Sequence, residues 1–485
     1  MRFVVAAVAA LSTAVLLAAT GTAAAVTCSH PASDYSTGAP WDVSNPGPQP
    51  VNDPVFPDQW GEVQINAPAA WARGDTGSGV TIAIVDTGTD LTHPDLQAHL
   101  VPGADFTPRA DQGCAGPQDE NGHGTHVSGI AAAVTNNGIG VAGTAPDAKV
   151  MPVRVLNAGG EGEDQAVIAG IKYAADHGAK VINLSLGGAP IVGETPQFNQ
   201  DLADAVDYAY ARGAVVVAAA GNESLPLCSF PAAAKNAVCV GATDRRRAPS
   251  FYSNFPNQPD QNVGVRAPGG AGSPFCEDSE DIWSTIWPDG DPCRNEATKD
   301  LSGYDTLAGT SMATPFVSGL AAVLSGMGLS NGQILQCLKT TSSNKGNYDP
   351  VMGYGIVDAD AATRTCNAAT TATFVPGSRS SAGSADFLSV TVDRISRRRL
   401  ARTRRLKVTI TSSKRVTVRL RAVMTRGKAR GRLLTRRTVR LRRAGTRRAV
   451  MRVSRRNARR LLRGRRASFQ VRYSGGGHRG VAAVR

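Results

Sequence analysis

The chain has 485 residues, of which 42% are hydrophobic, so it is long enough for two or three domains with apolar cores. Its formal charge of +14 conceals a division, because 35 of the 53 Lys and Arg but only two of the 39 Asp and Glu lie from position 373 onwards. The tail therefore carries +33 and residues 1–372 carry −19, which excludes a uniformly basic chain and indicates one acidic and one basic region.

The first predicted element is a signal peptide at residues 1–25. One Arg precedes a long apolar run, and small residues follow at Ala23 and Ala25, which is the pattern of a leader cut near Ala25. A membrane anchor is the alternative, although the end rich in Thr, Gly and Ala favours cleavage. No later segment is apolar for long enough to span a bilayer. We therefore expect a secreted, monomeric protein without a transmembrane anchor, either extracellular or held at the cell envelope by its surface.

An irregular arm and an α/β domain are predicted next. Residues 26–60 are rich in Pro, Gly, Asp and Ser, which is typical of an arm without regular structure. From 61 to 366, short β-branched apolar runs alternate with helical patterns, which predicts a doubly wound, mostly parallel α/β sheet. The predicted strands are 81–86, 149–155, 180–186, 214–220 and 237–242, and the predicted helices are 123–134, 163–178 and 200–213.

The tail has a different pattern. Residues 367–384 are rich in Thr, Ser, Ala and Gly and predict a linker. From 385 to 485, runs such as RVTVRLRAV alternate apolar residues with Arg or Thr, which predicts a small all-β, sandwich-like domain with an Arg-covered face. That domain could bind a polyanion such as a cell-envelope polymer, dock on the acidic domain, or present only a solvated surface. No aromatic platform interleaves its arginines, which disfavours specific single-strand binding.

Eight cysteines in an exported chain predict disulfides, although the sequence alone does not give their connectivity. We expect neighbouring cysteines to pair, which leaves the first two to pair with each other. The expected pairs are Cys28–Cys114, Cys228–Cys239, Cys276–Cys293 and Cys337–Cys366. The spacing contains no C-x-x-C, and no His cluster lies beside the cysteines, so a zinc site is not expected.

Three short segments carry the residue types of nucleophilic catalysis. Asp86 ends a predicted strand in VDTG, His123 begins a predicted helix in NGHGTHVSG, and Ser311 begins another in GTSMATP. All three would lie at the carboxyl ends of parallel strands, where such sheets build sites. A serine becomes a nucleophile when an imidazole takes its proton, and that imidazole needs a carboxylate on its other nitrogen. Alone, each residue could instead be a turn cap, a surface imidazole or a helix N-cap; together they favour catalysis.

Two further residues fit this interpretation. Asn222 follows a predicted strand in AAAGNES, where its amide could donate to the oxyanion of a tetrahedral intermediate beside the backbone N–H of Ser311. Pro315 is expected in the first turn after Ser311, where its missing N–H costs nothing. Both would place the nucleophile at the start of a helix, next to donors for a developing negative charge.

The four motifs, in the order Asp, His, Asn, Ser, resemble those of the subtilisin-like serine proteases, the subtilases, over about residues 57–366. The resemblance implies a subtilisin-like fold and a serine endopeptidase that hydrolyses proteins or peptides. It implies Asp86, His123 and Ser311 as the catalytic triad and Asn222 as the oxyanion donor, with no cofactor required for the chemistry.

The same resemblance implies binding residues. The segment LSLGG at 184–188 is similar to the family strand that pairs with the substrate backbone. The implied substrate-binding residues are Ser185, Leu186 and Gly187 beside the primary pocket and Ser229 at its base. Asp95 and the loop TNNGIGV, through Asn137, resemble a structural calcium site, since hard oxygen donors suit calcium. The alternative for that loop is a turn with Asn-Asn-Gly chemistry.

Two departures from the family pattern leave the substrate open. The arm is shorter than the folding propeptide of a typical subtilase, and the segment from Asn222 to Pro231 is shorter than in common secreted members. The acidic segment 274–300 is expected to overhang the site, with a solvated loop as the alternative. The short arm and the acidic segment permit a narrow-specificity processing protease that matures one partner. A polyanion-binding surface protein with a protease-like scaffold is the alternative from another class, and loss of a triad residue would favour it.

Overall fold

The computed structural model describes residues 2–4, 28–35, 50–108, 113–187, 196–256, 262–272, 280–290, 303–367, 388–392, 402–412, 416–425, 432–441, 445–454, 457, 468–475 and 478–484. The chain divides into two compact units, residues 1–379 and residues 380–485. The predicted signal peptide beyond Val4 and nearly all of the predicted linker lie outside the described residues. No helix of the described ranges is long and apolar enough to cross a membrane.

The first unit is built on a seven-stranded parallel sheet. The strands of this unit are β1 (Arg2–Val4), β2 (Thr81–Asp86), β3 (Ala104–Asp105), β4 (Lys149–Arg154), β5 (Glu161–Glu163), β6 (Val181–Leu184), β7 (Val215–Ala219), β8 (Ala237–Thr243), β9 (Val263–Pro268), β10 (Ile282–Thr285) and β11 (Tyr304–Leu307). The sheet has the order β3-β4-β2-β6-β7-β8-β9, while β1 with β5 and β10 with β11 form antiparallel pairs. The strand order reverses at β2, and α/β sheets bind ligands at the carboxyl ends beside such a reversal.

Helices cover both faces of this sheet. They are α1 (Trp60–Gln64), α2 (Ala67–Trp71), α3 (His123–Ala132), α4 (Asp164–Asp176), α5 (Pro196–Ala211), α6 (Thr310–Gly326), α7 (Asn331–Thr341) and α8 (Ala359–Thr365). Successive residues of β2 enter different cores, because side chains alternate across a strand. Ile82 and Ile84 pack with α3 and α6, whereas Ala83 and Val85 pack with α4 and α5. The predicted doubly wound, mostly parallel α/β fold is confirmed.

The acidic segment 274–300 contains a strand that the sequence analysis does not predict. Residues 282–285 form β10, which pairs with β11 and contacts α3. Ile282 and Trp283 are buried there, so apolar burial outweighs the surrounding acidic composition. Residues 274–279 and 291–300 lie outside the described residues. The overhang of this segment over the site stays a prediction.

The N-terminal arm is fastened to the first unit. Cys28 forms a disulfide with Cys114, and the Tyr35 hydroxyl donates to Oδ2 of Asp90 at 2.5 Å. His30 and Tyr35 are both buried. The described part of the arm therefore packs on the unit and is covalently tied to it.

Three of the four expected disulfides are confirmed, with Cα–Cα distances of 5.4 to 6.4 Å. They are Cys28–Cys114, Cys228–Cys239 and Cys337–Cys366. Cys276 and Cys293 lie outside the described residues, so that pairing stays a prediction.

The second unit is all-β. Its strands are β12 (Leu388–Val392), β13 (Arg405–Ser412), β14 (Val416–Thr425), β15 (Arg432–Leu441), β16 (Gly445–Arg452), β17 (Ser468–Gly475) and β18 (His478–Val484). They form a three-stranded sheet, β12-β13-β16, and a four-stranded sheet, β15-β14-β17-β18, with antiparallel pairing throughout. Leu406 and Val408 of the first sheet and Val418 and Leu420 of the second are buried, which agrees with the predicted sandwich-like architecture.

Candidate active site

Asp86 lies at the carboxyl end of β2 and is fully buried. Its Oδ1 accepts two hydrogen bonds at 2.7 Å, one from the backbone N–H of Thr87 and one from Nδ1 of His123. The strand carries the carboxylate to the edge of the sheet, and the bond to Thr87 holds it there. The carboxylate therefore fixes the imidazole so that Nδ1 carries the proton and Nε2 is left as the basic nitrogen.

His123 is the first residue of α3, and the glycines beside it allow a close approach to β2. Gly122 has a φ of +98°, a conformation that favours glycine. A Cβ at Gly124 would lie 2.1 Å from the carbonyl oxygen of Gly88, so only glycine fits there. Burial lowers the pKa of His123, but the charge and hydrogen bond of Asp86, helped by the charge of Asp119, outweigh burial and leave that pKa raised.

Ser311 lies in the first turn of α6, which begins at Thr310 with Gly309 as its N-cap. The helix N-cap interpretation of Ser311 is therefore wrong. The Ser311 hydroxyl donates to the carbonyl oxygen of Ser185 at 3.1 Å, and Nε2 of His123 has no hydrogen-bond partner among the described residues. The structure thus contains the hydrogen bond between Asp86 and His123, while the Ser311 hydroxyl bonds to the Ser185 carbonyl instead of to His123. Catalytic hydrogen bonds of this kind often form fully only when substrate binds.

The expectation for Pro315 needs correction. This proline lies inside α6 rather than in its first turn, so it removes the N–H that would bond to the carbonyl of Ser311, four residues earlier. That carbonyl instead accepts a hydrogen bond from the Ser185 hydroxyl at 2.7 Å. The proline therefore frees a carbonyl that ties the start of α6 to the segment after β6.

Asn222 follows β7 and contacts the start of α6. Its Oδ1 accepts from the backbone N–H of Thr310 at 3.0 Å and from the Thr310 hydroxyl at 2.9 Å. Because Thr310 holds the oxygen of the carboxamide, Nδ2 is the donor end of this side chain, and it lies near Gly309 at the start of the helix that carries Ser311. Sequence reasoning identified Asn222 but not Thr310, because a threonine in GTSMATP carries no signal of that role.

Several residues predicted for the substrate pocket are neighbours in the structure. Gly187 and Ser229 are close, since a Cβ at Gly187 would lie 3.6 Å from Cβ of Ser229. A Cβ at Gly221 would lie 2.6 Å from the Ser229 hydroxyl and 2.3 Å from Nδ2 of Asn254. Ser185 and Leu186 are buried at the end of β6. Asn254 also donates to Oε2 of Glu223 at 2.7 Å, so this carboxylate is held beside the same residues.

Asp119 is a buried carboxylate that the sequence analysis did not select. Its Oδ1 accepts from the Thr87 hydroxyl and the Asn121 N–H, both at 2.9 Å. Its Oδ2 accepts from the N–H and the hydroxyl of Thr125 at 2.9 and 2.6 Å. The Thr87 hydroxyl in turn accepts from the N–H of Gly124 at 2.9 Å. Asp119 therefore joins the end of β2 to the start of α3, and fixes Asp86 relative to His123.

Asp95 and Asn137, the predicted calcium ligands, are in contact, with 2.7 Å between Asn137 Nδ2 and Asp95 Oδ1. A third residue, Asp53 of the arm, accepts from the N–H groups of Asn136 and Asn137. Burial raises the pKa of Asp95 to about 8, and the charge of Asp53 adds to that rise. Neither carboxylate has an ion-pair partner in the described ranges. Two buried carboxylates and a carboxamide supply the hard oxygens that suit a cation, and Asn137 would have to turn its oxygen toward the site, because its Nδ2 group faces Asp95 and its Oδ1 accepts from the N–H of Ile139.

Comparison with known proteins decides the family. The sequence model of the Subtilase family, peptidase S8, matches residues 77–355, which is more than half of the chain. The chain belongs to the subtilase family. Thermitase from Thermoactinomyces vulgaris is 44% identical over 301 residues, which cover 61% of this subtilase and 94% of that protein. Subtilisin Savinase from Lederbergia lenta is 40% identical over 307 residues, covering 63% and 98% of the two chains.

A solved structure agrees with this assignment. It is described as proteases from Pseudoalteromonas arctica PAMC 21717, is 34% identical, and has a TM-score of 0.55 over 65% of this subtilase and 99% of that chain. The predicted subtilisin-like serine protease is confirmed by the family match, and the chain is a serine endopeptidase.

Proposed function

We propose that this subtilase cleaves peptide bonds through Asp86, His123 and Ser311. The Ser311 hydroxyl turns from the Ser185 carbonyl toward His123, gives its proton to Nε2, and attacks the scissile carbonyl carbon. His123 then returns that proton to the leaving amine, and a water repeats the sequence to release the acyl group. The observation that carries this proposal is the buried 2.7 Å bond from His123 Nδ1 to Asp86, which leaves Nε2 as the base.

Asn222 supplies the second part of the mechanism. Its Oδ1 is held by Thr310, so its Nδ2 group and the backbone N–H of Ser311 are placed to donate to the oxyanion of the tetrahedral intermediate. These donors are set before the reaction, so little reorganisation is needed when the charge develops. Ser185, Leu186, Gly187 and Ser229 would bind the substrate residue before the scissile bond.

Hydrolysis of an unfolded protein tests the proposal. Casein is incubated with the wild-type chain and with Ser311→Ala prepared identically, with and without a serine-directed sulfonyl fluoride. We expect cleavage by the wild type alone and its loss with the inhibitor. If neither folded preparation cleaved casein, the result would contradict a general endopeptidase, and the narrow-specificity processing protease would then be the function to test.

We also propose that the protein is secreted. The signal peptide at residues 1–25 supports export, and the three disulfides support an oxidising compartment. Fractionation of a producing cell tests this, with mature protein expected outside the cytoplasm and beginning near residue 26. Protein retained inside with its first 25 residues would contradict it.

We propose a structural calcium site formed by Asp95, Asn137 and Asp53. Calcium would link the arm to the loop after α3 by replacing the repulsion between two buried carboxylates with shared coordination. In the Ser311→Ala chain, calcium is expected to raise the unfolding temperature by several degrees over EDTA, because an ion that binds only the folded state stabilises it. Asp95→Asn should abolish that difference; an unchanged difference would contradict the site.

We further propose that the basic second unit binds a polyanion, such as a cell-envelope polymer. Its support is the charge of +33 carried by residues 373–485, together with exposed arginines on β14 and β15. Retention of the Ser311→Ala chain on an immobilised polyanion, with elution by salt, tests this. Passage through the column at low salt would contradict it.

A further inference from the structure

Exposed arginines line one face of β14 and β15, two neighbouring strands of the four-stranded sheet in the second unit. Along β14, Val418, Leu420 and Ala422 are buried, whereas Arg419 and Arg421 between them are exposed. The exposed Arg436 and Arg440 of β15 stand opposite Arg421 and Thr417 in the ladder, so they share that face. The β14 arginine face is defined here as Arg419, Arg421, Arg436 and Arg440.

The register sets like charges directly against each other. Arg421 stands opposite Arg436 in the β14–β15 ladder, and both side chains are exposed. Like charges directly opposite on a sheet are destabilising, so this arrangement costs stability in the isolated unit.

Acidic residues that could neutralise the face are lacking in this part of the sequence. Residues 380–485 contain only two acidic residues, Asp386 and Asp393, and both lie outside the described residues. Within the described ranges, Arg419, Arg421 and Arg436 make no ion pair and no side-chain hydrogen bond. Their guanidinium groups are therefore available to an external anion.

The chemistry of the face selects the kind of anion. Arginine binds phosphate oxygens with two parallel N–H donors, and threonine hydroxyls such as Thr417 and Thr438 also donate to phosphates. The face carries arginine and threonine but no aromatic side chain on β14 or β15, so stacking on unpaired bases is not available.

The spacing of the arginines favours a polymer of high charge density. Neighbouring strands lie about 4.8 Å apart, and alternate residues lie about 6.8 Å apart along a strand. Duplex DNA presents about one charge per 1.7 Å of axis, dense enough to engage several of these arginines together.

We propose that the β14 arginine face binds duplex DNA through its phosphates, without sequence preference. This inference deepens the polyanion proposal above and rests on it, because it names the polymer and the residues. The DNA would then hold the protease where the polymer accumulates, and hydrolysis would use the separate site in the first unit.

The test uses the full chain with Ser311→Ala, so that self-digestion does not interfere. Binding of a labelled 20-base-pair duplex is measured by fluorescence anisotropy over a series of salt concentrations. The face variant combines Arg419→Gln, Arg421→Gln and Arg436→Gln. The matched control combines Arg402→Gln, Arg405→Gln and Arg452→Gln, which removes the same charge from exposed arginines off this face. Circular dichroism confirms that both variants are folded.

The face variant is expected to lower the slope of log affinity against log salt by about 3, and to weaken binding about 100-fold near 0.1 M salt. The control should change affinity less than about fivefold. Equal losses in both variants would overturn the proposal, because net charge rather than this face would then account for binding.

Competition with heparin and with poly(glycerol phosphate) separates this inference from the broader one. We expect the duplex to compete at least about tenfold better per charge, since its closely spaced phosphates can engage several arginines of the face together. Better competition by either other polymer would overturn DNA as the ligand and leave the polyanion proposal standing. No binding of any polymer at 50 mM salt would overturn both, whereas casein hydrolysis by the wild type would be unaffected.

Discussion

In the first unit, the charged side chains near the site are buried and individually partnered, whereas the arginines of the β14 face are exposed and stand against each other. Asp86 and Asp119 are both buried, and Asp86 accepts two hydrogen bonds while Asp119 accepts four. Arg154 is buried in an ion pair with Glu120. A buried charge that is held by hydrogen bonds positions its neighbours to within a fraction of an ångström. A group of exposed like charges instead creates an electrostatic field at the surface. The two units therefore suit different tasks, chemistry in one and polymer binding in the other.

Removal of a buried charge at the centre of the site should have the largest effect. Asp86→Asn keeps the shape of the side chain but presents an N–H where a carboxylate oxygen accepts from His123. We expect kcat to fall by about 10⁴, because the imidazole is left in the wrong tautomer. Steady-state hydrolysis of a chromogenic peptide measures this, and a loss below tenfold would show that Asp86 does not orient the base.

Asn222→Ala should have the next largest effect. It removes the proposed donor to the oxyanion, so kcat is expected to fall by about 10²–10³ while KM changes little. The same assay separates the two constants. A change mainly in KM would mean that Asn222 binds substrate rather than stabilising the transition state.

Asp119→Asn tests whether the Asp119 carboxylate, which does not touch the reacting atoms, positions Asp86 relative to His123. We expect a loss of about tenfold in kcat/KM, since the bonds to Thr87 and Thr125 weaken. Because Asp119 helps to raise the pKa of His123, and His123 must be neutral to act as a base, the acid limb of the pH profile should move to lower pH. Asp204→Asn, an exposed carboxylate on α5, is the control. An unshifted limb in Asp119→Asn would assign this residue a structural role alone.

The smallest effect, and one of opposite sign, is expected in the second unit. Arg421→Gln removes like-charge repulsion across β14, so it should stabilise that unit by about 0.2–1 kcal/mol, and less at high salt. Thermal unfolding of the Ser311→Ala chain at two salt concentrations measures this, with Arg402→Gln as the control. If Arg421→Gln destabilised the second unit, the arginines of the β14 face could not be said to repel each other, unlike the hydrogen-bonded charges of the first unit.

The sequence predicts the strands and helices that carry the site, because buried parallel strands appear as continuous apolar runs. The glycines of the motifs are also informative, because they occur where two backbone segments approach each other closely. Gly124 is an example, since any side chain there would collide with Gly88. β3 and β9 were not predicted, because β3 has two residues and β9 is interrupted by Gly264 and Arg266.

The parts that sequence reasoning missed depend on contacts between distant segments. Asp53 lies in the arm, yet it binds the backbone of Asn136 and Asn137, 83 and 84 residues away. Asp119 precedes His123 closely, but its role depends on Thr87, which follows β2 and is 32 residues away. Composition also gave a wrong indication for β10, because the acidic residues around it predicted a surface segment, whereas Trp283 is buried.

Covalent labelling of the wild-type chain tests the central claim most directly. A fluorophosphonate is added to the wild type and to His123→Ala, and the adduct is located by mass spectrometry of peptides. The proposed mechanism predicts one adduct on Ser311 in the wild type and none in His123→Ala at the same dose, because the serine needs the imidazole to become nucleophilic. An adduct on another residue, or equal labelling of both chains, would contradict the catalytic roles of Asp86, His123 and Ser311.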